Sequence, residues 1–255
     1  MKLVWALLFS AAFGTCRAAE QQQECSASTF AAVGAHFKIA DFKLSGPEGG
    51  VVLAAACKTL PSDPKMEIAV FAYDAGKPDE KQQLTTILDQ ASGKVVSALA
   101  ATIMEDAMMS VYGAHFRIDT ARYQLAPGVR AFGVDLGSGY NHHYCPEGGW
   151  GPVRTLYVRE GARLRPVLDG MVMSTWHYVD GTFQGCAEQP EGTPGPVTET
   201  TELSLALMKS TSHGYADLAL TASTSDDRPK PGKRVKRSVL RYDGKAYPAD
   251  IEVHQ

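Results

Sequence analysis

The chain has 255 residues, of which 44% are hydrophobic and 21% charged, and its formal net charge is -3 at pH 7. A weakly acidic chain offers no electrostatic basis for binding nucleic acid or an anionic membrane. The length is enough to bury a substantial core. No segment approaches the roughly eighteen consecutive apolar residues of a transmembrane helix.

The first residues have the layout of a secretory signal peptide. Lys2 gives a positive start, residues 3–13 are apolar, and residues 16–18 form a small-x-small end. We therefore predict a signal peptide over residues 1–18, cleaved near Ala18, and a periplasmic or secreted mature protein. Lipidation of Cys16 is the alternative. The mature chain would keep 23 of the 25 basic residues, since two lie in the leader, against all 28 acidic ones.

Cysteine usage indicates disulfides. Cleavage removes Cys16, so four of the five cysteines remain. Four cysteines in an oxidising compartment predict two bonds, with three possible connectivities. Pairing of nearest neighbours gives Cys25–Cys57 and Cys145–Cys186. Each would close a loop for which the chain-entropy model gives roughly 3–4 kcal/mol.

The first part of the mature chain predicts an arm followed by strands. Residues 19–29 are polar and predict a loose arm held at Cys25. Residues 51–57 form a short apolar run and residues 67–73 alternate well, so both predict strands.

A hairpin signature follows. Residues 82–90 and 94–102 flank Gly93, which can adopt the positive φ of a tight turn. Residues 103–111 leave two alternatives. Their apolar spacing favours a short helix, whereas a continuing strand with a bulge explains them equally well.

The segment from residue 116 to residue 186 contains the strongest turn signals. Pro127-Gly128 has the chemistry of a type II turn, and Asp180-Gly181 favours a two-residue hairpin. Gly161 supplies a third turn. These turns predict three hairpins, which pair residues 116–125 with 129–136, residues 155–159 with 162–168, and residues 171–179 with 182–186.

The C-terminal part begins with a Pro/Gly-rich connection at residues 188–197. Strands are predicted at residues 199–208, 214–223 and 238–242. The whole pattern predicts an all-β fold, in which antiparallel hairpins stack as a propeller-like or sandwich-like array with at most one short helix. We expect a main disulfide-bonded domain over residues 19–187, with the hairpins of residues 198–255 packed on that domain.

Two stretches near the C-terminus resemble a known family. Residues 212–221, SHGYADLALT, are similar to the GY-x-DL strand of integrin-type (FG-GAP or VCBS) β-propeller repeats, and residues 240–247 to their aromatic hairpin. The whole chain also resembles secreted proteins of Gram-negative bacteria. The resemblance implies propeller-like hairpins that act as binding surfaces. The calcium loop of those repeats, Asp-x-Asp-x-Asp-Gly, is absent from this sequence, so the resemblance implies no calcium.

The most suggestive metal-ligand cluster is His142-His143-Tyr144-Cys145. A zinc site needs three or four such ligands converging on one ion. Neighbouring side chains of an extended segment point to opposite faces, and the disulfide explains Cys145. His115, His177 and Asp135 could contribute from a distance, but no spacing requires it. We therefore predict no metal and no cofactor.

No catalytic signature stands out, and we predict no catalytic residues. Gly137-Ser138-Gly139 lacks the spacing of a nucleophile elbow. The adjacent carboxylates at residues 105–106 and 226–227 are typical of solvated turns, since glycosidase pairs must face each other across a sugar.

Aromatic residues indicate a binding site more strongly than the metal-ligand or catalytic candidates do. Tyr140, Tyr144 and Trp150 lie in a predicted loop, and exposed Tyr and Trp side chains are favoured anchors of interfaces. The predicted binding residues are Tyr140, His142, His143, Tyr144 and Trp150. We interpret Trp176, by contrast, as core.

The one dense charge run is residues 228–237, RPKPGKRVKR. A solvated, mobile hairpin loop is the ordinary interpretation. The alternative, functional interpretation is that this run docks to an acidic partner or to anionic envelope polymers.

The sequence thus predicts a periplasmic or secreted β-protein that is a non-enzymatic binding module. Its expected partner is an envelope protein or a cell-wall component, and a role as an inhibitor or immunity-type protein is compatible. The alternative is a metal-dependent hydrolase acting on envelope material through the region of His142 and His143.

Overall fold

The computed structural model describes residues 23–106, 109–139, 147–179, 195–230 and 232–250. These residues form one α-helix and thirteen β-strands, as the all-β prediction requires. The helix, α1, spans Ala27–Phe37. The strands are β1 Val52–Thr59, β2 Met66–Lys77, β3 Glu80–Asp89, β4 Val95–Met104, β5 Ser110–Ala126, β6 Val129–Gly139, β7 Gly148–Trp150, β8 Val153–Glu160, β9 Arg163–Val172, β10 Ser174–Tyr178, β11 Thr198–Ser212, β12 Tyr215–Asp226 and β13 Lys233–Leu240.

Eight strands form a sheet that curls into a nearly closed barrel. Their order is β1-β2-β3-β4-β9-β8-β6-β5, and the two end strands lie beside each other. Neighbours are antiparallel except for a short parallel contact between β4 and β9. Buried apolar side chains from around the barrel fill its interior, among them Ile68, Val70, Ile118, Phe132 and Val134.

A second sheet packs on the outside of this barrel. Its five strands have the order β13-β12-β11-β10-β7. Leu218 and Leu220 on its inner face pack against Leu156, Val158 and Leu168 of the barrel. The sheet combines β7 and β10, which precede the Pro/Gly-rich connection, with β11, β12 and β13, which follow it.

Helix α1 covers another part of the barrel's outer face. Ser26 caps its N-terminus by accepting a hydrogen bond from the Thr29 amide, and Val33 is buried against β1–β3. The end of the predicted loose arm therefore belongs to a helix. The polar residues before it hid this element, because its apolar stripe begins only at Phe30.

The seam between β1 and β5 is closed by Gln23. Its backbone carbonyl accepts a hydrogen bond from the Cys57 amide at 2.9 Å. Its side-chain Oε1 accepts from the Ile118 amide at 2.6 Å, and Nε2 donates to the Ile118 carbonyl at 3.0 Å. The Gln23 side chain thus takes the place of a strand's peptide group. The predicted Cys25–Cys57 disulfide is present and holds this residue beside β1.

Three of the predicted hairpins are confirmed. They are β3–β4, β5–β6 and β8–β9. Gly93, Gly128 and Gly161 have φ angles of 69°, 75° and 63°, which are the left-handed conformations that the turn chemistry predicts.

The predicted hairpin of residues 171–179 with 182–186 falls partly outside the described residues, which end at Val179 on this side. The chain leaves the barrel at Met173, so that β9 and β10 belong to different sheets. Both edges of β10 are occupied, by β11 on one side and β7 on the other. The described strand of this segment, β10, thus lies between one strand that precedes it and one that follows it in the chain.

For residues 103–111 the structure favours the strand alternative at both ends. Strand β4 runs to Met104 and β5 begins at Ser110, and the described residues between them are not helical. The other predicted disulfide, Cys145–Cys186, lies outside the described residues.

Candidate functional site

Three charged residues form one row across adjacent strands of the barrel. The strand register places Arg117 of β5 opposite Asp135 of β6, and Asp135 opposite Arg154 of β8. Their chain neighbours, such as Phe116 and Val134, fill the barrel interior. Because side chains alternate along a strand, the charged row lies on the outer face.

Asp135 is the centre of this row. It is 2% exposed, and Arg154 is 7% exposed. Arg154 donates from Nε to Oδ1 at 2.6 Å and from Nη2 to Oδ2 at 2.8 Å, which is a bidentate pair. Arg117 donates from Nε and Nη2 to Oδ2 at 3.3 and 3.2 Å. The carboxylate is therefore satisfied by two guanidinium groups.

Asp119 and Tyr123 of β5 complete the network. Nη1 of Arg154 lies 3.0 Å from Oδ2 of Asp119 and 3.2 Å from the Tyr123 hydroxyl. That hydroxyl donates to Oδ2 of Asp119 at 2.9 Å. The other Asp119 oxygen accepts from the Ala121 amide. Two positive and two negative charges thus neutralise one another, and every carboxylate oxygen has a donor.

The network forms one wall of a cleft between the barrel and the second sheet. The cleft has a volume of about 480 Å³, and residues 202–205 of β11 line its opposite wall. Arg154 and Asp135 are buried, whereas the side chain of Arg117 is 55% exposed. Arg117 is therefore the member of the network that a ligand can reach.

The edge of β11 is open where it lines this cleft. Strand β10 pairs with β11 only from Thr198 to Glu202, and the amide of Leu203 then donates to the Met173 carbonyl. Beyond that bond no described strand pairs with this side of β11. Since successive amides alternate in direction, the N–H of Leu205 points to the same side as that of Leu203. An unpaired edge of this kind is a template for another extended chain.

Trp150, the one predicted binding residue within the described part of the chain, lines a second cleft. It lies in β7 opposite Thr175, and the cleft of about 270 Å³ is also lined by Met171 and Leu203. The two clefts share Ser174 and Leu203. Tyr140, His142, His143 and Tyr144 lie outside the described residues, so their role stays a prediction.

The interpretation of Trp176 as core is wrong. Trp176 is only half-buried, and its ring meets Tyr178 edge to face at 5.4 Å. It lies opposite Thr200, on the face of the second sheet that carries exposed Glu202. Trp150 and Trp176 are therefore on opposite faces of the second sheet.

The charged row was missed because its members are distant in sequence. Asp135 was considered only as a remote metal ligand, and its two arginine partners exclude that role in this structure. A signal was present, since Asp135 interrupts the apolar run AFGVDLG, and Arg154 lies within β8 between Val153 and the segment TLYV. A lone charge inside an apolar strand predicts a buried partner, although not which one.

Among the described residues, no group of three or more His, Cys, Asp or Glu side chains is placed to hold a metal ion. No helix in the described part of the chain is long and apolar enough to cross a membrane.

Tyr123 gives the network a pH dependence. Burial, followed by the negative charge of Asp119, raises the pKa of Tyr123 from 10.0 to about 12. The folded state therefore holds this proton more tightly than the unfolded state, and its contribution to stability is complete below pH 10 and lost as the pH rises through about 12. We expect the free energy of unfolding, measured with urea at about pH 9 and 11.5, to fall by about 2 kcal/mol more in the wild type than in Tyr123→Phe.

The other tyrosines with raised pKa values do not disturb the comparison of the wild type with Tyr123→Phe. Tyr157, Tyr215 and Tyr247 also have raised pKa values, mainly through burial, but they titrate equally in both proteins. Parallel pH profiles of the two proteins would show that Tyr123 is not held by this network.

The resemblance of residues 212–221 to integrin-type repeats can be compared with their place in the fold. Residues 212–221 lie mainly in the hairpin β11–β12, but a sheet-rich fold does not by itself test the resemblance to integrin-type repeats, which stays a prediction. Comparison of the chain with protein-family models, with curated proteins and with solved structures found no match.

Proposed function

We propose that this protein is a non-enzymatic binding module, which takes an extended segment of a partner polypeptide along the open edge of β11. The observation that carries the proposal is the position of this unpaired edge in a cleft, opposite the accessible guanidinium of Arg117. In strand addition the backbone supplies affinity, and the side chains around the groove supply selectivity. The cleft offers both.

The buried network supports this role by fixing Arg117. Its Nε and Nη2 are directed to Asp135, whose other contacts are made by Arg154. Nη1 of Arg117 has no partner among the described residues, and it is available to a carboxylate or a peptide carbonyl. A guanidinium that is already positioned loses less rotamer entropy on binding.

The same contacts argue against catalysis at this site. A general base needs an unoccupied carboxylate oxygen near the substrate. Both oxygens of Asp135 and both oxygens of Asp119 already accept hydrogen bonds. The network is therefore suited to positioning a ligand rather than to transferring its protons.

The disulfide supports a location outside the cytoplasm. Cys25–Cys57 is bonded, and such bonds persist in oxidising compartments. Together with the leader-like residues 1–18, this leads us to propose a periplasmic or secreted protein whose partner is an envelope protein.

Position 205 provides a sharp test of strand addition. Its N–H points into the cleft, so Leu205→Pro removes one edge donor and leaves the hydrogen bonds between β11 and β12 in place. Leu205→Ala loses the same side-chain packing but keeps the N–H. We expect nonapeptides selected from a displayed random library on the wild type to bind the Pro variant about ten-fold more weakly than the Ala variant, as measured by fluorescence anisotropy.

A second variant tests the other wall of the cleft. Arg117→Gln should weaken the binding of selected peptides that carry a carboxylate. Circular dichroism of each variant checks that the fold is kept. Equal affinity of the Pro and Ala variants, or a selection that enriches no peptide over protein-free beads, would contradict the proposal.

A further inference from the structure

The strand at one edge of the second sheet, opposite β7, is rich in positively charged side chains. Strand β13, Lys233–Leu240, is the end strand of that sheet, and β12 is its only partner among the described strands. Residues 233–237, KRVKR, are all exposed. They pair in continuous register with β12, from Ser225 opposite Lys233 to Thr221 opposite Arg237.

The prediction of a mobile loop over residues 228–237 is therefore wrong for its second half. The cause is physical: a strand exposed on both faces carries no alternation of apolar and polar residues, so periodicity cannot reveal it. Its partner β12 supplies the backbone hydrogen bonds that make it a strand.

Most of this charge is not neutralised locally. Arg234 lies 2.8 Å from Glu199, and Arg228 lies 3.8 Å from Asp226. Among the described residues, Lys233, Lys236 and Arg237 have no acidic partner at such distances. A chain with a net charge of -3 thus concentrates unpaired cations on one edge strand.

The cations occupy both faces of the strand. Lys233 and Arg237 point to the outer face of the sheet, and Arg234 and Lys236 to the face that is turned toward the barrel. Residues two apart on a strand are roughly 6.8 Å apart. An extended acidic peptide has the same repeat, so its carboxylates can lie opposite cations on both faces.

The same charges select against other occupants. A second copy of β13 paired with the first would bring Lys and Arg side chains opposite one another, which is unfavourable. A neutral strand would gain nothing from the cations and would hinder their hydration. A flexible anionic polymer could meet the charges but not the row of backbone groups on the edge.

We propose that β13 is a docking edge for an acidic, extended polypeptide segment, which adds to the second sheet as a sixth strand. This surface is distinct from the cleft, because β12 and β11 lie between them. Backbone pairing supplies the alignment of the segment, and the cations supply its selectivity for acidic sequence.

The probe is a fluorescein-labelled nonapeptide that repeats Glu-Glu-Thr, so that both faces of the extended chain are acidic. We expect it to bind the wild type at about 50 mM salt and more weakly at higher salt. The variant Lys233→Glu/Lys236→Glu/Arg237→Glu should bind at least ten-fold more weakly, and the same replacements by Gln should give an intermediate loss.

Two controls make the test specific. Lys43→Glu/Lys65→Glu/Lys77→Glu changes the net charge equally at exposed positions on β2 and in the connections before it, and should alter the affinity less than two-fold. Leu205→Pro, which removes an edge donor in the cleft, should bind the acidic peptide like the wild type. The Gln variant serves if the Glu variant does not fold.

A chemically modified peptide separates strand addition from simple charge attraction. The same nonapeptide N-methylated at alternate amides keeps its charge but cannot pair with a strand edge. We expect it to lose at least ten-fold in affinity. Equal binding of the methylated peptide, absence of binding to the wild type, or an equal loss in the barrel control would each overturn the proposal.

Discussion

Replacement of Asp135 by alanine is expected to lower the free energy of unfolding by about 3–5 kcal/mol. Without its carboxylate, the buried guanidinium of Arg154 keeps only its contacts to Asp119 and Tyr123. A buried charge without its counter-charge cannot recover the hydration that it lost on folding. Urea denaturation monitored by tryptophan fluorescence measures the loss.

Two further variants show that the effect comes from burial. Glu160→Ala removes the exposed ion pair with Arg165 and should cost less than about 1 kcal/mol. Asp135→Leu/Arg154→Met replaces the whole pair by apolar groups, and should recover most of the stability. If Asp135→Ala cost no more than Glu160→Ala, the network would not be the buried element that the distances indicate.

Removal of the disulfide by Cys25→Ala/Cys57→Ala is expected to lower the free energy of unfolding by about 3–4 kcal/mol, by the chain-entropy model for a bond that closes 32 residues. The bond also holds Gln23 in the seam between β1 and β5. We therefore expect the loss of the bond to weaken that seam as well. Urea denaturation again gives the value.

A double-mutant cycle separates these two effects. Gln23→Ala leaves the Ile118 amide without its side-chain acceptor and the Ile118 carbonyl with only the Lys58 ammonium group at 3.2 Å, and should cost about 1–3 kcal/mol. In the background without the disulfide it should cost less, because Gln23 is then no longer held. Gln124→Ala, which removes exposed hydrogen bonds on the same strand, is the matched control. Strictly additive losses would show that the seam does not depend on the bond.

The seam and the cleft are connected through β5. Ile118, whose amide donates to the Gln23 side chain and whose carbonyl accepts from it, is the chain neighbour of Arg117 and Asp119. One edge of β5 thus closes the barrel through the peptide groups of Ile118, while the outer face of the strand carries three of the five network residues, Arg117, Asp119 and Tyr123. Weakening of the seam should therefore also lower affinity for peptides bound in the cleft.

Local chemistry in the sequence determined much of the fold. Turn residues such as Gly93 and Gly128 need a left-handed conformation, and they fixed the hairpins β3–β4 and β5–β6 without reference to the rest of the chain. Cysteine spacing likewise predicted Cys25–Cys57. These features depend on neighbouring residues, so they can be read from sequence.

The candidate sites depend on pairings between distant segments. The row of Arg117, Asp135 and Arg154 exists because the strand register brings three separate segments side by side. The open edge of β11 exists because β10 is too short to cover it. No local pattern encodes register or the identity of a non-neighbouring strand, since both are set by the packing of whole sheets. The sequence alone determined three of the hairpins, the all-β class and one disulfide, whereas the tertiary structure decided where charges and free edges meet.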